Sequence, residues 1–217
     1  MTKQGESFGV KVTKLADAKL ATGRDFDDNG KLTSTATVLD EATARQLSQA
    51  LEVSAPTVSN IEAKPYTRRP AAPFTTSTLQ QEAGRKLRLG SRDTMRIAQS
   101  LYQNGHITYM RTDSISLSAQ AVSAARSQAV ALYGQASIPA QPRTYQSKVK
   151  NAQEAHEAVR PAGDAFKTPD EMRKLLSADE FRLYDLIWKR TVASQMVDAT
   201  GETVSVTMTA PVGALGT

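Results

Sequence analysis

Twice along this chain the spacing of apolar residues changes period, and few architectures accommodate that pattern. Toward both ends apolar positions alternate, in Phe8-Gly-Val10-Lys-Val12, Leu32 to Val38, Thr57 to Ala63 and Glu202 to Met208. Between Thr75 and Met196 they recur every three or four residues instead. Alternation places successive side chains on opposite faces of a strand, whereas the longer period gathers them on one face of a helix. Strand character that returns after a helical middle implies an α+β fold, with a helical domain inserted in a β-rich one. The proline- and arginine-rich stretch from Pro65 to Pro73 marks the first boundary. The expected domains are residues 1–66 with 197–217, and residues 67–196.

Local signals fill in this outline. Asp27-Asp-Asn-Gly30 has the composition of a turn between strands of one small sheet. Asp40 is placed to cap a helix through Leu51. Ser77 with Gln80, or Thr78 with Gln81, can form a capping box for a helix ending at Leu87, and Leu89-Gly-Ser91 breaks it. A second helix follows from Arg92 to Asn104, with Gly105 as its stop and a strand expected from His106. Two short helices, a tight turn and a strand outline a winged-helix-like helix-turn-helix, although such helix pairs also occur in proteins that never touch DNA. Further helices are predicted over Ser118–Tyr133, from Thr168-Pro169, and from the Ser177/Glu180 box, the last burying Phe181, Tyr184, Leu186, Ile187, Trp188 and Val192. Asn151 can cap a short helix that sets His156 and Arg160 on one face.

Composition excludes several classes of function. No cysteine is present, so disulfides and thiolate metal sites are ruled out, and two histidines, His106 and His156, cannot alone build a zinc centre. No uninterrupted apolar run approaches the roughly 20 residues of a membrane span, and no apolar segment follows the first residues as in a secretory signal. A cytoplasmic, nucleoid-associated protein with no membrane partner is expected. The net charge of +5 is concentrated: residues 64–97 hold eight cations against Glu82 and Asp93, so the rest of the chain sums to −1. That stretch is read either as a phosphate-tracking surface or as a solvated helix face.

The sharpest constellation is Gly105-His-Ile-Thr-Tyr109-Met-Arg111-Thr-Asp113-Ser114. In an extended segment Tyr109, Arg111 and Asp113 share a face. An ordinary tyrosine ionises near pH ~10, so only about one part in a thousand is phenolate at neutral pH, and it needs help to act as a nucleophile. A guanidinium two residues on can stabilise a phenolate and bind the oxygens of a phosphodiester under attack, with Asp113 holding it in place. Spacing alone does not separate this from a half-packed strand tyrosine beside a surface ion pair.

The run Ile107 to Ser114 resembles the active-site tyrosine segment of type IA DNA topoisomerases, most closely actinobacterial members. Pro73-Phe-Thr-Thr-Ser-Thr-Leu-Gln-Gln81 resembles the family stretch upstream of it, and Ala155-His156-Glu-Ala-Val-Arg160-Pro resembles the downstream His-Glu-Ala-Ile-Arg-Pro motif. Ala21 to Phe26 and Leu186 to Met196 are also similar to the family, so the resemblance covers nearly the whole chain. It implies a helical tyrosine domain inserted in a β-rich arch. It also implies that Tyr109 is the nucleophile that stays joined to a 5′ phosphate, and that Arg111 assists at the scissile phosphate. Thr112, Asp113, His156 and Arg160 are then expected to contact DNA. His106 has no such support.

The departures carry equal weight. Members of that family hold Mg²⁺ on a glutamate and an Asp-x-Asp pair of a Toprim domain, and no such region precedes the β-rich opening here. Carboxy-terminal DNA-binding modules are missing as well. The chain is therefore expected to be an excised or naturally shortened piece. Single-stranded or underwound DNA and the missing Toprim and upstream domains are its expected partners. It should bind no metal itself, and should bind DNA without relaxing it. The alternative is a winged-helix DNA-binding protein with no chemistry.

Overall fold

The computed structural model describes residues 2–3, 6–145 and 157–215. Two compact units emerge, Met1–Pro65 with Glu202–Thr217, and Tyr66–Gly201.

In the first unit β1 (Thr2–Lys3) pairs with β2 (Glu6–Ser7), and β3 (Lys14–Leu15) with β4 (Ala18–Lys19), each antiparallel. The small sheet expected over residues 8–38 does not form. Phe8–Val12 joins no strand, and Leu32–Val38 contributes only bridges, Leu32 to Phe26 and Thr37 to Leu20. Val10 is 68% exposed, so its alternation has no core to face. Polar bonds organise the segment instead. The buried Asp25 carboxylate accepts from Lys19 Nζ at 2.7 Å, the Thr22 backbone N–H at 2.8 Å and Ser34 Oγ at 3.0 Å. The Asp27–Gly30 turn is present: Asp27 Oδ1 accepts from the N–H groups of Asn29 and Lys31, and Gly30 takes φ +76°.

Helix α1 (Glu41–Val53) starts where its cap predicts, with the Asp40 side chain accepting from the Thr43 N–H. Strand β5 (Thr57–Arg68) pairs with β6 (Ala199–Thr209) in a two-stranded sheet. Thr57 stands beside Thr209, and Ser59 Oγ donates to the Thr207 carbonyl at 3.2 Å. Every residue of β5 is exposed, so its alternation marks the pleat and not a core face.

The second unit carries α2 (Thr76–Leu87), α3 (Ser91–Gln103), α4 (Ala119–Tyr133), α5 (Pro169–Arg173) and α6 (Ala178–Ser194). Thr75 and Thr78 form the capping box of α2, one step earlier than the expected pairs. Ser118 caps α4, Thr168 with Glu171 boxes α5, and Ser177 with Glu180 boxes α6. Helix α6 packs against α2, α3, α4 and α5. Its Leu183, Tyr184, Ile187, Trp188 and Val192 enter one apolar core with Phe74, Leu79, Leu101, Ile107, Met110 and Met172. Phe181, expected in that core, is only half-buried because the Arg173 guanidinium covers its ring at 4.2 Å.

No continuous strand follows α3. Beyond the bridge of Ile107 to Pro161, residues 108–118 run without a strand partner, so the expected wing is absent as a ladder.

Candidate active site

A Schellman turn delivers the tyrosine segment. The His106 N–H bonds the Leu101 carbonyl at 2.8 Å and the Gly105 N–H bonds that of Tyr102 at 2.9 Å, with Gly105 at φ +70°. A side chain is disfavoured in that conformation, which is why glycine ends α3.

From there three distant segments are tied together. Val159 N–H donates to Phe74 O at 2.8 Å, and Thr108 N–H to Arg160 O at 2.9 Å. Thr108 Oγ1 donates to Ala158 O at 2.8 Å. Thr76, at the first turn of α2, donates its hydroxyl to Met110 O at 2.8 Å and accepts from the Thr112 N–H at 2.8 Å. The Thr76 N–H in turn donates to Thr112 O at 2.9 Å. Residues 73–81, 107–114 and 157–161 therefore meet at one place.

Within that frame the expected alternation holds without a strand. Tyr109, Arg111 and Asp113 are exposed, whereas Met110 and Ser114 are buried. Tyr109 is 43% exposed and meets the Tyr102 ring edge-to-face at 5.2 Å. Among the described residues its hydroxyl has no hydrogen-bond partner, and no ion pair joins Arg111 to Asp113, so Asp113 does not hold the guanidinium as expected. Thr112 is half-buried and its hydroxyl accepts from the Ser114 N–H at 3.0 Å.

Arg160 departs furthest from expectation. Residues 157–160 are not helical, and Arg160 is 8% exposed. Its Nε and Nη2 donate to Glu157 Oε2 at 3.2 and 2.7 Å, and Nη1 donates to the carbonyls of Pro161 and Gly163. A guanidinium so committed braces the loop and has little left for a phosphate. Burial would raise the Glu157 carboxyl, but hydrogen bonds from Arg160 and Ser118 outweigh it and hold it below its ordinary range. His156 and the Asn151 cap lie outside the described residues. His106 is held below its ordinary value by burial and by the positive charge of Lys167.

Sequence reading missed Thr76 and Glu157 as the ties of this site. Both lie inside motif segments, but their partners are 36 and 39 residues away. Asp25 was missed too, although Thr22-Gly-Arg-Asp25 has the spacing of a capping box. Among the described residues no group of three or more His, Asp or Glu side chains could hold a metal ion. The Mg²⁺ implied by the resemblance has no fitting donor set there, and no step is derived through it.

A family model described as DNA topoisomerase matches residues 6–214. DNA topoisomerase 1 of Mycolicibacterium smegmatis is 58% identical over 200 residues, covering 91% of this chain and 21% of that protein. The Streptomyces coelicolor counterpart is 61% identical over 201 residues, covering 92% and 21%. The solved structure of full-length topoisomerase I from Thermotoga maritima is similar with a TM-score of 0.59 at 34% identity, over 80% of this chain and 28% of that one. The chain thus spans about a fifth of the length of these curated relatives. No helix among the described residues is long and apolar enough to cross a membrane. With its three motif segments tied around an exposed tyrosine, and with these similarities over nearly its whole length, the chain belongs to the type IA bacterial DNA topoisomerase family.

Proposed function

We propose that this chain supplies the strand-cleaving tyrosine of a type IA topoisomerase that relaxes underwound DNA one strand at a time. The observation that carries this reading is the meeting of the three motif segments, which holds the backbone on both sides of Tyr109 while leaving its side chain in solvent. The β-rich unit takes the part of the arch, the helical unit that of the tyrosine domain, and α2 with α3 that of its helix-turn-helix.

In the proposed step Tyr109 Oη attacks the phosphorus of one strand and the bond from phosphorus to the 3′ oxygen breaks. The phenol proton is lost and the departing 3′ oxygen gains one, so a 5′-phosphotyrosine and a 3′ hydroxyl result. Reversal reseals the strand without ATP, because the phosphodiester is exchanged and not hydrolysed. Arg111, exposed beside Tyr109, offers its planar donors to the non-bridging oxygens, where negative charge builds up during attack. Thr112, Asp113 and His156 are read as neighbouring DNA contacts, and Arg160 as the brace of the loop that presents them.

The test joins the chain to the Toprim domain of its relatives and traps the adduct of labelled DNA on a denaturing gel. Tyr109→Phe keeps the ring packing and should abolish the adduct. An undiminished adduct in that variant overturns the assignment.

A further inference from the structure

A cavity of about 550 Å³ lies between the carboxy-terminal half of α2 and the outer face of α6, lined by Glu82, Lys86, Arg182, Asp185, Lys189 and Arg190. Cations outnumber carboxylates around it. The single Glu82 carboxylate is shared by Arg85 at 2.9 Å, Lys86 at 3.0 Å and Arg190 at 3.4 Å. Lys189 pairs with Asp185 at 2.6 Å. Arg182 donates to the Leu87 carbonyl at 2.7 Å and stands 3.4 Å from Asp179. Arg88 follows directly, exposed and at φ 60°, a left-handed conformation that a side chain rarely adopts.

One carboxylate cannot neutralise three cations. The hydrogen bond from Arg85, with Lys86 in support, holds Glu82 down at about 2 despite its burial. Like charges gathered on two helices repel one another in the free protein, and a polyanion laid between them relieves that repulsion. The side chains of Lys86 and Lys189 are 51% and 65% exposed, and each ammonium keeps donors beyond its one carboxylate partner.

We propose that this α2–α6 groove binds the phosphodiester backbone of a nucleic-acid strand at a second point, away from Tyr109. The anionic character of the ligand rests on the groove itself; the choice of nucleic acid rests on the functional reading above. Helix α2 sets the spacing. Its Thr76 is tied to the tyrosine segment, and the ten residues from there to Lys86 span about 15 Å along the axis. At about 3.4 Å per step of a stacked strand, that is roughly four to five nucleotides.

The experiment measures the binding of a fluorescein-labelled single-stranded oligonucleotide by anisotropy across a salt series, using the chain as it stands. Lys86→Gln/Lys189→Gln removes two exposed charges and no core contact. Its binding should weaken severalfold at low salt, and the slope of log affinity against log salt should fall by about 1.4, roughly 0.7 for each phosphate released. Lys86→Arg/Lys189→Arg should restore the slope, and Lys11→Gln/Lys31→Gln, with the same change in net charge, should leave it unaltered. Equal slopes for the groove variant and the parent chain overturn the groove. So does a fall of the same size in the Lys11/Lys31 control, which would make the effect one of net charge. Neither result touches the Tyr109 assignment, which the adduct trap judges separately.

Discussion

Three tyrosines of the helical unit show what the active position requires. Tyr184 donates its hydroxyl to the Lys167 carbonyl at 2.7 Å, and burial pushes its ionisation up. Tyr145 lies within hydrogen-bond distance of the Pro70 and Ser194 carbonyls, and burial raises it too. Both are locked in the neutral form, while Tyr109 alone of the three has an open hydroxyl beside an exposed arginine. For Arg111→Lys, in the protein joined to its Toprim domain, we expect cleavage to fall by about tenfold or more while DNA affinity changes less, because lysine keeps the charge but loses the planar fork. Equal losses in gel-trapped adduct and in affinity would make Arg111 a positioning contact. Asp25 yields a prediction about pH. The Lys19 ammonium and the Thr22 groups depress its carboxyl below the unfolded value, so its contribution to stability is complete above about pH 4 and is lost as the pH falls. Thermal melts of Asp25→Asn should therefore lie below those of the parent chain at pH 6 and converge on them toward pH 2.

Among the elements, α2 has two jobs at its two ends. Its first turn is tied to the tyrosine segment through Thr76, and its last two turns carry Glu82, Arg85 and Lys86 toward α6. Thr76→Val preserves the shape of the side chain but removes the hydroxyl that the carbonyl of Met110 and the N–H of Thr112 both use. Loss of these part-buried bonds should cost about 1–3 kcal/mol in a urea melt. Cleavage by the joined protein should fall further than that loss of stability explains, since the segment presenting Tyr109 loses an anchor. A variant as active as its parent would show that the tie serves folding alone.

At the scale of the whole molecule, charge and chemistry come apart. The cations of residues 64–97 and those of α6 supply phosphate contacts, so the chain should bind single-stranded DNA, and affinity should drop steeply between about 50 and 200 mM salt. Relaxation requires more. No described donor set would hold a metal ion, and Arg111 alone does not supply the several kcal/mol of transition-state stabilisation that attack by a phenol demands. Incubated with negatively supercoiled plasmid and excess Mg²⁺, the chain should leave the topoisomer distribution unchanged on an agarose gel. Relaxed products that vanish with Tyr109→Phe would show it to be self-sufficient.

What the sequence determined by itself was local. Caps at Asp40, Ser118, Thr168 and Ser177, and stops at Gly105 and Gly134, place helix ends within a residue or two, because each acts on backbone groups three or four positions away. The alternation of Tyr109, Arg111 and Asp113 was legible for the same reason. Alternation misled over residues 8–38, where exposed valines had no second layer to bury them and Asp25 gathered the turns instead. Only the tertiary structure decided that Arg160 turns inward, that Thr76 anchors the tyrosine segment, and that α6 brings Arg182 and Lys189 beside Lys86. Those outcomes depend on partners up to about a hundred residues away, as when Arg182 reaches Leu87 across 95 positions. Periodicity carries no information about such pairings, because it records which face a side chain is on and not what the fold will bring to meet it.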